Sequence, residues 1–357
     1  MKLPFSSFVL AFFLAAIPNA FASTTWYVNG VTGSDGNTCL SPITACLTIA
    51  HAISLASSGD SISVAPATYT ENLTISISLK ILGANAGTTI VDGSNAGGVF
   101  TIKSHAAVTL SELTIQNGSA DYGAGIDSEG KLTVSHSTIS GNFGLEGGGI
   151  ANTGRLTIND STISGNEAAH CRNKICFGFG GGVMNFAEGT LTINNSTISG
   201  NGAFQDGGGV FNSGTVTINS STISGNSAQI GSGGGINNAS TATIQNSIVS
   251  NSPLGGDCSG TMTSEGYNLS DDNTCNLNGP GDLNDTKAKL GTLGNHGGPT
   301  QTIPEALDSP TVDAGNPSGC TDSQGHLLTT DQRGYPRPGK YKHDHRCDMG
   351  AYESQTD

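Results

Sequence analysis

Three residues able to exchange protons occupy the same place in consecutive copies of a repeated sequence unit. They are Glu112, His136 and Asp160, spaced 24 residues apart. If the copies stack, neighbouring members lie about 5 Å apart, close enough for His136 to exchange a proton with either carboxylate. A β-elimination needs such a base beside a sugar ring, and glycoside hydrolysis needs two carboxylates. This column is therefore the candidate for catalysis.

The column also has a structural interpretation. Later copies carry Asn or Ser at this place, and Asn, Ser and Asp are ordinary residues in solvated turns. A lyase that acts on uronates must also neutralise a carboxylate with a cation or a metal ion. The nearest stacked cations, Lys131 and Arg155, precede the column by five residues, or about 16 Å along an extended strand. Residues 175–286 contain no Lys or Arg, so the turn interpretation is favoured.

The elements that must position the column are short strands. The unit LTVSHSTISGN begins at Leu132 and recurs with few changes from Leu156, Leu191 and Val216, and glycine blocks separate the copies. Apolar and polar residues alternate within each unit, which is typical of strands. A repeat of about 25 residues with three strands cannot bury an apolar face alone, so successive coils must stack. We expect a parallel β-helix of about nine coils, rising about 4.8 Å per coil.

The ends of this β-helix need covers. Ile49, Ala52, Ile53 and Ala56 lie at helical spacing, which predicts a short capping helix over residues 47–57. The predicted organisation is then an N-terminal cap over 23–59, the β-helix over 60–255, and irregular coils with a second cap over 256–357.

Residues 1–22 have the features of a secretory signal. Lys2 precedes an apolar run over 5–17, and Ala20 and Ala22 form a cleavage site of the A-x-A type. We expect cleavage after Ala22 and export to the extracellular space or the cell surface, with the periplasm left open.

The eight cysteines predict disulfides, because an even number in an exported chain implies pairing. The sequence does not determine their connectivity, and we expect pairing between neighbours. Zinc is not expected, because Cys-x2-Cys spacings are absent. The expected pairs are Cys39–Cys46, Cys171–Cys176, Cys258–Cys275 and Cys320–Cys347.

Charge and hydropathy exclude two classes of partner. The chain has 14 Lys plus Arg against 28 Asp plus Glu, a net charge of -14 that repels phosphate backbones. Nucleic acid is therefore excluded. No stretch after the first twenty residues reaches 18 apolar residues, so no membrane span is expected in the exported chain.

Two polar patterns accompany the apolar alternation. Asn recurs in two columns, which we interpret as amide ladders inside the structure. Thr and Ser recur on the outward side and predict a flat hydroxyl face, a shape suited to a glycan lattice or ice, although Thr is also an ordinary strand residue. The hydroxyl ladder comprises Thr138, Ser140, Thr162, Ser164, Thr197, Ser199, Thr222 and Ser224.

No metal site is expected from the spacing of His and carboxylate residues. His343 and His345 could join His326 around an ion, but adjacent histidines in a charged tail are usually solvated. Asp257, Asp271 and Asp272 would bind Ca²⁺ at most weakly, because they lack the spacing of a known calcium loop. We therefore expect no cofactor.

Several motifs resemble known families. The STISGN and GGGI or GGGV segments resemble repeats of the polymorphic outer membrane protein type, with Ile in place of that family's Phe. The opening TWYVNGVTGSDGNTCLSPITACLTIAHAI resembles that of bacterial secreted β-helix proteins. The closing LGTLGNHGGPTQTI, DSPTVDAGNP, TDQRGYPRP and CDMGAYE are similar to the choice-of-anchor Q region. The resemblance implies a right-handed, pectate-lyase-like β-helix, a fold that hosts adhesins, lyases, hydrolases and spacers.

The resemblance transfers no catalytic motif onto this sequence. The leading hypothesis is a secreted, all-β protein that acts by surface contact, adhesin-like or glycan-binding, with a polysaccharide or cell-surface glycan as partner. The alternative is a polysaccharide lyase or glycoside hydrolase that works at Glu112, His136 and Asp160. A spacer without a ligand is the third hypothesis.

Overall fold

The computed structural model describes residues 23–172, 175–339 and 346–355, and the side chains of these except 171, 172 and 175. The predicted signal at 1–22 and the cluster at 343–345 lie outside the described residues. Most of the chain winds into a stack of coils in which parallel strands form long sheets.

Four sheets run along the stack, and we name them A to D. Sheet A has ten strands: Thr25–Val28, Ser61–Val64, Leu79–Gly83, Ala107–Ser111, Lys131–Ser135, Arg155–Asn159, Thr190–Asn194, Thr215–Asn219, Thr241–Gln245 and Thr263–Gly266. Sheet B has nine: Ala67–Thr70, Thr89–Asp92, Thr114–Gln116, Thr138–Ser140, Thr162–Ser164, Thr197–Ser199, Thr222–Ser224, Ile248–Ser250 and Leu269–Ser270. Sheet C has eight: Leu73–Ile75, Phe100–Ile102, Ile126–Ser128, Ile150–Asn152, Val183–Asn185, Val210–Asn212, Ile236–Asn238 and Cys258–Ser259. Sheet D has five: Ser119–Tyr122, Phe143–Glu146, Glu167–Ala168, Gly202–Ala203 and Ser227–Ala228.

The repeats lie directly over one another. Thr138 of sheet B pairs with Thr162, Thr162 with Thr197, and Thr197 with Thr222, so the STISGN copies are superposed coil by coil. The prediction of a parallel β-helix is confirmed. The expected nine coils agree with sheets of ten, nine and eight strands.

Stacked aliphatic side chains fill the interior. Ile139, Ile163, Ile198 and Ile223, the central residues of consecutive sheet B strands, are fully buried in one continuous core. Each strand alternates an inward apolar residue with outward polar ones, as period-2 patterning requires. Burying each isoleucine side chain stabilises the folded state by about 1.5 to 3 kcal/mol relative to leaving that side chain in solvent.

Asparagine ladders complete the interior, as the sequence predicts. Asn201 Nδ2 donates to Asn226 Oδ1 at 2.9 Å and to the carbonyl of Ile163 at 3.0 Å. Its Oδ1 accepts from both the backbone N–H and the Nδ2 of Asn166, each at 3.0 Å. One amide thus satisfies buried polar groups on the neighbouring coils.

The Asn201→Ala variant tests this ladder. We expect the free energy of unfolding to fall by about 3 kcal/mol, because several buried polar groups lose their partners. Denaturant titration measures the change. The control Asn278→Ala replaces an exposed residue and should stay within about 0.5 kcal/mol of the parent. Equal stability of the two variants would contradict the ladder's role.

The N-terminal cap has the predicted helix, slightly shorter than expected, at Ile49–Leu55, after a 3-10 turn at Pro42–Thr44. Thr48 caps it, since its side chain accepts a hydrogen bond from His51 N at 3.1 Å. Ile49 and Ala52 are buried in the core. Within the described residues, no helix has the length and apolar character that a bilayer span requires.

The structure contains the disulfides Cys39–Cys46, Cys258–Cys275 and Cys320–Cys347, which are neighbouring pairs as expected. In the insertion between copies, strands His170–Arg172 and Ile175–Phe177 pair antiparallel with Cys171 opposite Cys176. Cys176 is disulfide-bonded, and the side chain of Cys171 lies outside the described residues.

The C-terminal region differs from the predicted second cap. Residues 256–290 close the end of the stack, where Cys275 and Leu277 join the core. Residues 291–339 and 346–355 then lie across the outside of sheet B, and we call these two segments together the C-terminal arm. Gln332 Oε1 accepts from Thr197 Oγ1 at 2.6 Å, and Ala351 N donates to Thr222 Oγ1 at 3.0 Å.

The arm overturns the prediction of an exposed hydroxyl face on sheet B. Thr162, Thr197 and Thr222 are at most 1% exposed, because their hydroxyls bond the arm instead of solvent. Thr138 and Ser140, beyond the most deeply covered coils, are half-buried. The remaining ladder members Ser164, Ser199 and Ser224 are also buried.

Candidate functional site

The outward face of sheet A carries a hydroxyl ladder that remains accessible. In the middle of five consecutive strands a threonine points outward, and consecutive threonines are paired in register. Each is half-buried, since strand neighbours flank it while solvent lies above. This ladder comprises Thr109, Thr133, Thr157, Thr192 and Thr217.

An amide ladder runs beside the hydroxyl ladder on three consecutive coils, two residues after Thr157, Thr192 and Thr217. Asn194 Nδ2 donates to Asn159 Oδ1 at 2.9 Å, and Asn219 Nδ2 donates to Asn194 Oδ1 at 3.1 Å. These contacts orient the amides along the stack. Asn194 and Asn219 are at most 6% exposed, so the amides support the floor while the threonine hydroxyls provide its accessible donors and acceptors.

The C-terminal arm forms a wall beside the ladders. Its segment 320–328 is fixed by the Cys320–Cys347 disulfide and by pairing of Thr321 with Leu327. Ser323 N donates to Asn194 Oδ1 at 3.1 Å, which holds the segment against the amide ladder.

The wall and the ladders enclose a polar cleft of about 630 Å³. A second cleft of about 300 Å³ continues over the N-terminal strands of sheet A, and both are lined by Lys131 and Thr133. We call the combined cleft the sheet A groove. It runs along the stack from Gly59 and Lys80 to Thr217 and the wall residue Gln324.

The cations of the groove are Lys80, Lys131 and Arg155. Lys131 and Arg155 are register partners on adjacent strands, and both are exposed. The wall carboxylate Asp322 is occupied by its own loop, since it accepts from the backbone N–H groups of Gln324 and His326 at 2.8 and 2.9 Å.

The predicted catalytic column lies at the turn between sheets A and B. Glu112, His136 and Asp160 all have positive φ there, between 48° and 59°, as do the residues that follow them in the column. His136 Nε2 lies 3.9 Å from Asp160 Oδ2. In the part of the chain that the structure describes, Glu112 forms no ion pair with His136, so the structure brings together two of the three residues.

Asp160 sits in an environment that the sequence did not indicate. Burial raises its pKa, while a hydrogen bond from Asn195 Nδ2 at 2.6 Å and the positive charges of His136 and Arg337 act against the rise. Arg337 thus supplies the cation that seemed missing beside the column. However, its guanidinium is buried and bonds Glu353 at 2.9 Å, which leaves it unavailable to a ligand.

The carboxylates at which weak Ca²⁺ binding was expected, Asp257, Asp271 and Asp272, lie close together, and protein donors bond to them. Asp257 Oδ2 accepts from Ser270 Oγ and from Asp271 N, at 3.1 and 3.0 Å. Asp271 pairs with Lys287 at 3.3 Å. These oxygens are therefore already bonded to protein donors.

The other groups able to bind a metal ion also contact protein groups. Among the described residues, Cys39, Cys46 and His51 form the cluster with metal-ligating atoms in mutual reach, but the disulfide uses both sulfurs. His326 pairs with Asp322 at 3.2 Å. Its expected partners at 343–345 lie outside the described residues.

Sequence reasoning missed the sheet A groove. Its threonine column recurs at a fixed place in the repeats, but the outward residues of sheet B are more uniform. Lys131 and Arg155 occupy the same place in consecutive repeats, which is the sequence signal for their pairing. The wall comes from residues 320–328, which have no repeat pattern.

The arm that carries the wall is held by buried charges. Arg333 pairs with Asp331 at 2.6 Å, and Arg337 with Glu353 at 2.9 Å, with all four side chains at most 4% exposed.

Burial raises the pKa of Glu353 to about 7, although Arg337 acts in the opposite direction. Burial also raises the pKa of Asp257, to about 7, and the charges of its neighbouring aspartates add to the rise.

The architecture places the chain among right-handed parallel β-helix proteins. Residues 97–275 match the family model described as the right handed beta helix region, and the chain belongs to this family. No curated protein matches the sequence.

Two solved structures are similar to the chain. A pectate lyase, Pel9A, is 14% identical with a TM-score of 0.45, over 94% of this chain and 98% of that chain. A mutant pectin methylesterase in complex with a hexasaccharide is 14% identical with a TM-score of 0.37, over 88% of this chain and 95% of that chain.

The raised pKa values predict a pH dependence of stability. Below about pH 4 both the folded and the unfolded chain protonate Glu353 and Asp257, whereas between about pH 5 and 7 only the folded chain retains these protons. The free energy of unfolding therefore falls as pH rises from 5 to 8. Calorimetry should show a lower Tm at pH 8, by about 2 to 4 °C per kcal/mol lost.

The Glu353→Gln variant isolates one contribution, because glutamine is neutral at both pH values. Its Tm should change less between pH 5 and 8 than that of the parent. Glu188→Gln, at an exposed position, should retain the parent's full pH dependence. A parent Tm that rises over this interval would contradict the assignment.

Proposed function

We propose that this chain is an exported carbohydrate-binding β-helix that holds an extended glycan along the sheet A groove. The observation that supports the proposal is the regular floor: one accessible threonine hydroxyl per coil over five coils, at a repeat of about 4.8 Å, in an open cleft. A glycan is a polymer of hydroxyl groups at regular spacing. A threonine hydroxyl both donates and accepts hydrogen bonds, so this floor matches such a polymer without needing a fixed sugar identity.

The composition of the groove favours holding over cleavage. Its threonine ladder is neutral, and its two carboxylates are bonded to protein donors: Asp60 to Thr24 N and Trp26 Nε1, and Asp322 to its own loop. The surface-contact hypothesis is therefore kept, with its surface moved from sheet B to sheet A. Adhesin-like attachment of a cell or protein to a polysaccharide is a direct use of such a groove.

Export is part of the proposal. Residues 1–22 resemble a secretory signal, and disulfides persist in oxidising compartments outside the cytosol. The resemblance to polymorphic outer membrane protein repeats and to the choice-of-anchor Q region supports a location at the cell surface.

Polysaccharide cleavage is the second candidate, and the contact between His136 and Asp160 favours it. The two groups are 3.9 Å apart, within ion-pair distance, and burial raises the pKa of Asp160 although the charge of His136 acts against the rise. A carboxyl group with a raised pKa beside an imidazole suits general acid–base catalysis. Glu112 would supply the second carboxylate of a hydrolase from the preceding coil.

A blocking substitution tests binding in the groove. Thr192→Trp places a large side chain on the groove floor and should weaken binding of any captured glycan by tenfold or more. The matched control Thr74→Trp makes the same change on an exposed strand position of sheet C and should bind like the parent. Glycan-array screening followed by titration calorimetry measures both, and equal loss in the two variants would contradict the location.

An activity assay separates the two candidates. The parent is incubated with acidic and neutral polysaccharides, and unsaturated ends at 235 nm and reducing sugars are recorded. The binding proposal predicts no product. Product formation that disappears in His136→Ala would instead establish the second candidate.

A further inference from the structure

We propose that Lys131 and Arg155 form an anion-binding position in the sheet A groove, so that its glycan is acidic, with carboxylate or sulfate groups. This inference rests on the proposed function, because it assigns the ligand class of the same groove. The two cations line the larger cleft together with Thr133, Thr157 and the wall.

The first argument is the register of the two cations. Lys131 lies directly opposite Arg155 on the adjacent parallel strand, so their backbones are about 4.8 Å apart and their side chains leave the same face. Like charges placed directly opposite each other destabilise a sheet. A bound anion between them would turn this repulsion into attraction.

The second argument is that, among the described residues, no carboxylate forms an ion pair with either cation. The ion pairs of the described residues include neither Lys131 nor Arg155. Asp322 is the carboxylate of the cleft lining, and its oxygens accept from Gln324 N, His326 N and His326 Nδ1. By contrast, the nearby cation Lys103 is paired with Glu129 at 3.1 Å.

The third argument is that Lys131 and Arg155 have no other charged neighbour in their own column of sheet A. The residues on either side of the pair in the same column are Ala107 and Thr190, so the positive charge of this column is confined to two coils. The third cation of the groove, Lys80, lies two coils before Lys131 in the threonine column. The chain as a whole carries a net charge of -14, which disfavours general adhesion to polyanions. A single pair of cations in an acidic protein instead favours a ligand that places a negative group directly between Lys131 and Arg155.

The chemistry of the two side chains identifies the ligand group. A guanidinium donates two parallel hydrogen bonds to a carboxylate or sulfate, while the ammonium of a lysine acts as a point charge. Thr133 and Thr157 provide hydroxyls on the same strands, two residues away. The neutral ladders of the later coils would then hold the hydroxyl groups of the adjoining sugar units.

Matched glycans provide the test. Binding of the parent protein to a polygalacturonate oligomer is compared with binding to the same oligomer after reduction of its carboxyl groups to alcohols. Dextran sulfate and dextran form a second pair that distinguishes sulfate from carboxylate. We expect the acidic member of at least one pair to bind about tenfold or more tightly, with an affinity that falls as salt is added.

The double variant Lys131→Gln/Arg155→Gln should lose this preference while it retains binding of the neutral glycan. The control Lys103→Gln also removes a positive charge but at a site that is already paired, and it should keep the preference. Retention of the full preference in the double variant would overturn the inference.

The remaining outcomes separate this inference from the proposed function. Equal binding of acidic and neutral glycans, sensitive to Thr192→Trp, would overturn the acidic ligand and leave the groove as a glycan site. Failure of every glycan to bind the parent would overturn the proposed function and the inference together. A third outcome is a preference for acidic glycans that Thr192→Trp leaves unchanged and the double variant abolishes. This outcome would support the anion-binding position and contradict the placement of the glycan along the groove floor.

Discussion

Exact superposition of the coils is the constraint on which the whole structure depends. Each Ile139-type residue packs on its counterpart, and each amide of the Asn166 and Asn201 ladder bonds the next coil. A shift of one residue between two coils would turn the isoleucines outward and break every amide contact at once. The same register that keeps the interior closed also aligns Thr133 with Thr157 outside, so the regular groove floor is a by-product of core packing.

The C-terminal arm decides which outer face remains available. Sheets A and B both present threonine columns, and from the repeats alone sheet B is the more uniform of the two. The arm bonds Thr162, Thr197 and Thr222, which removes that face from solvent, and its segment 320–328 adds a wall beside sheet A. One irregular segment therefore both excludes one binding surface and completes another.

The sequence predicted the local and periodic features well. The strands, the inward isoleucines and the short helix follow from residue spacing, because each depends on neighbours within one repeat. The arm could not be predicted in this way, since the contact between Thr162 and Gln332 joins residues 170 positions apart and has no repeating pattern. For the same reason Arg337 beside Asp160 and the wall at Ser323 were missed, and with them the environment of the candidate sites.

The arm also ties together coils that would otherwise be joined only to their immediate neighbours. Gln332 bonds both Thr162 and Thr197, while Ala351 bonds Thr222 and Gly350 N bonds the carbonyl of Asn246. A tensile load along the axis is then shared among four consecutive turns in this region. Among the described residues, no hydrogen bond ties the arm to the turns nearer Thr25–Val28 in this way. Under mechanical stretching the rod should fail first at its N-terminal end, which leaves the segment around Arg155 and Thr192 intact for longest.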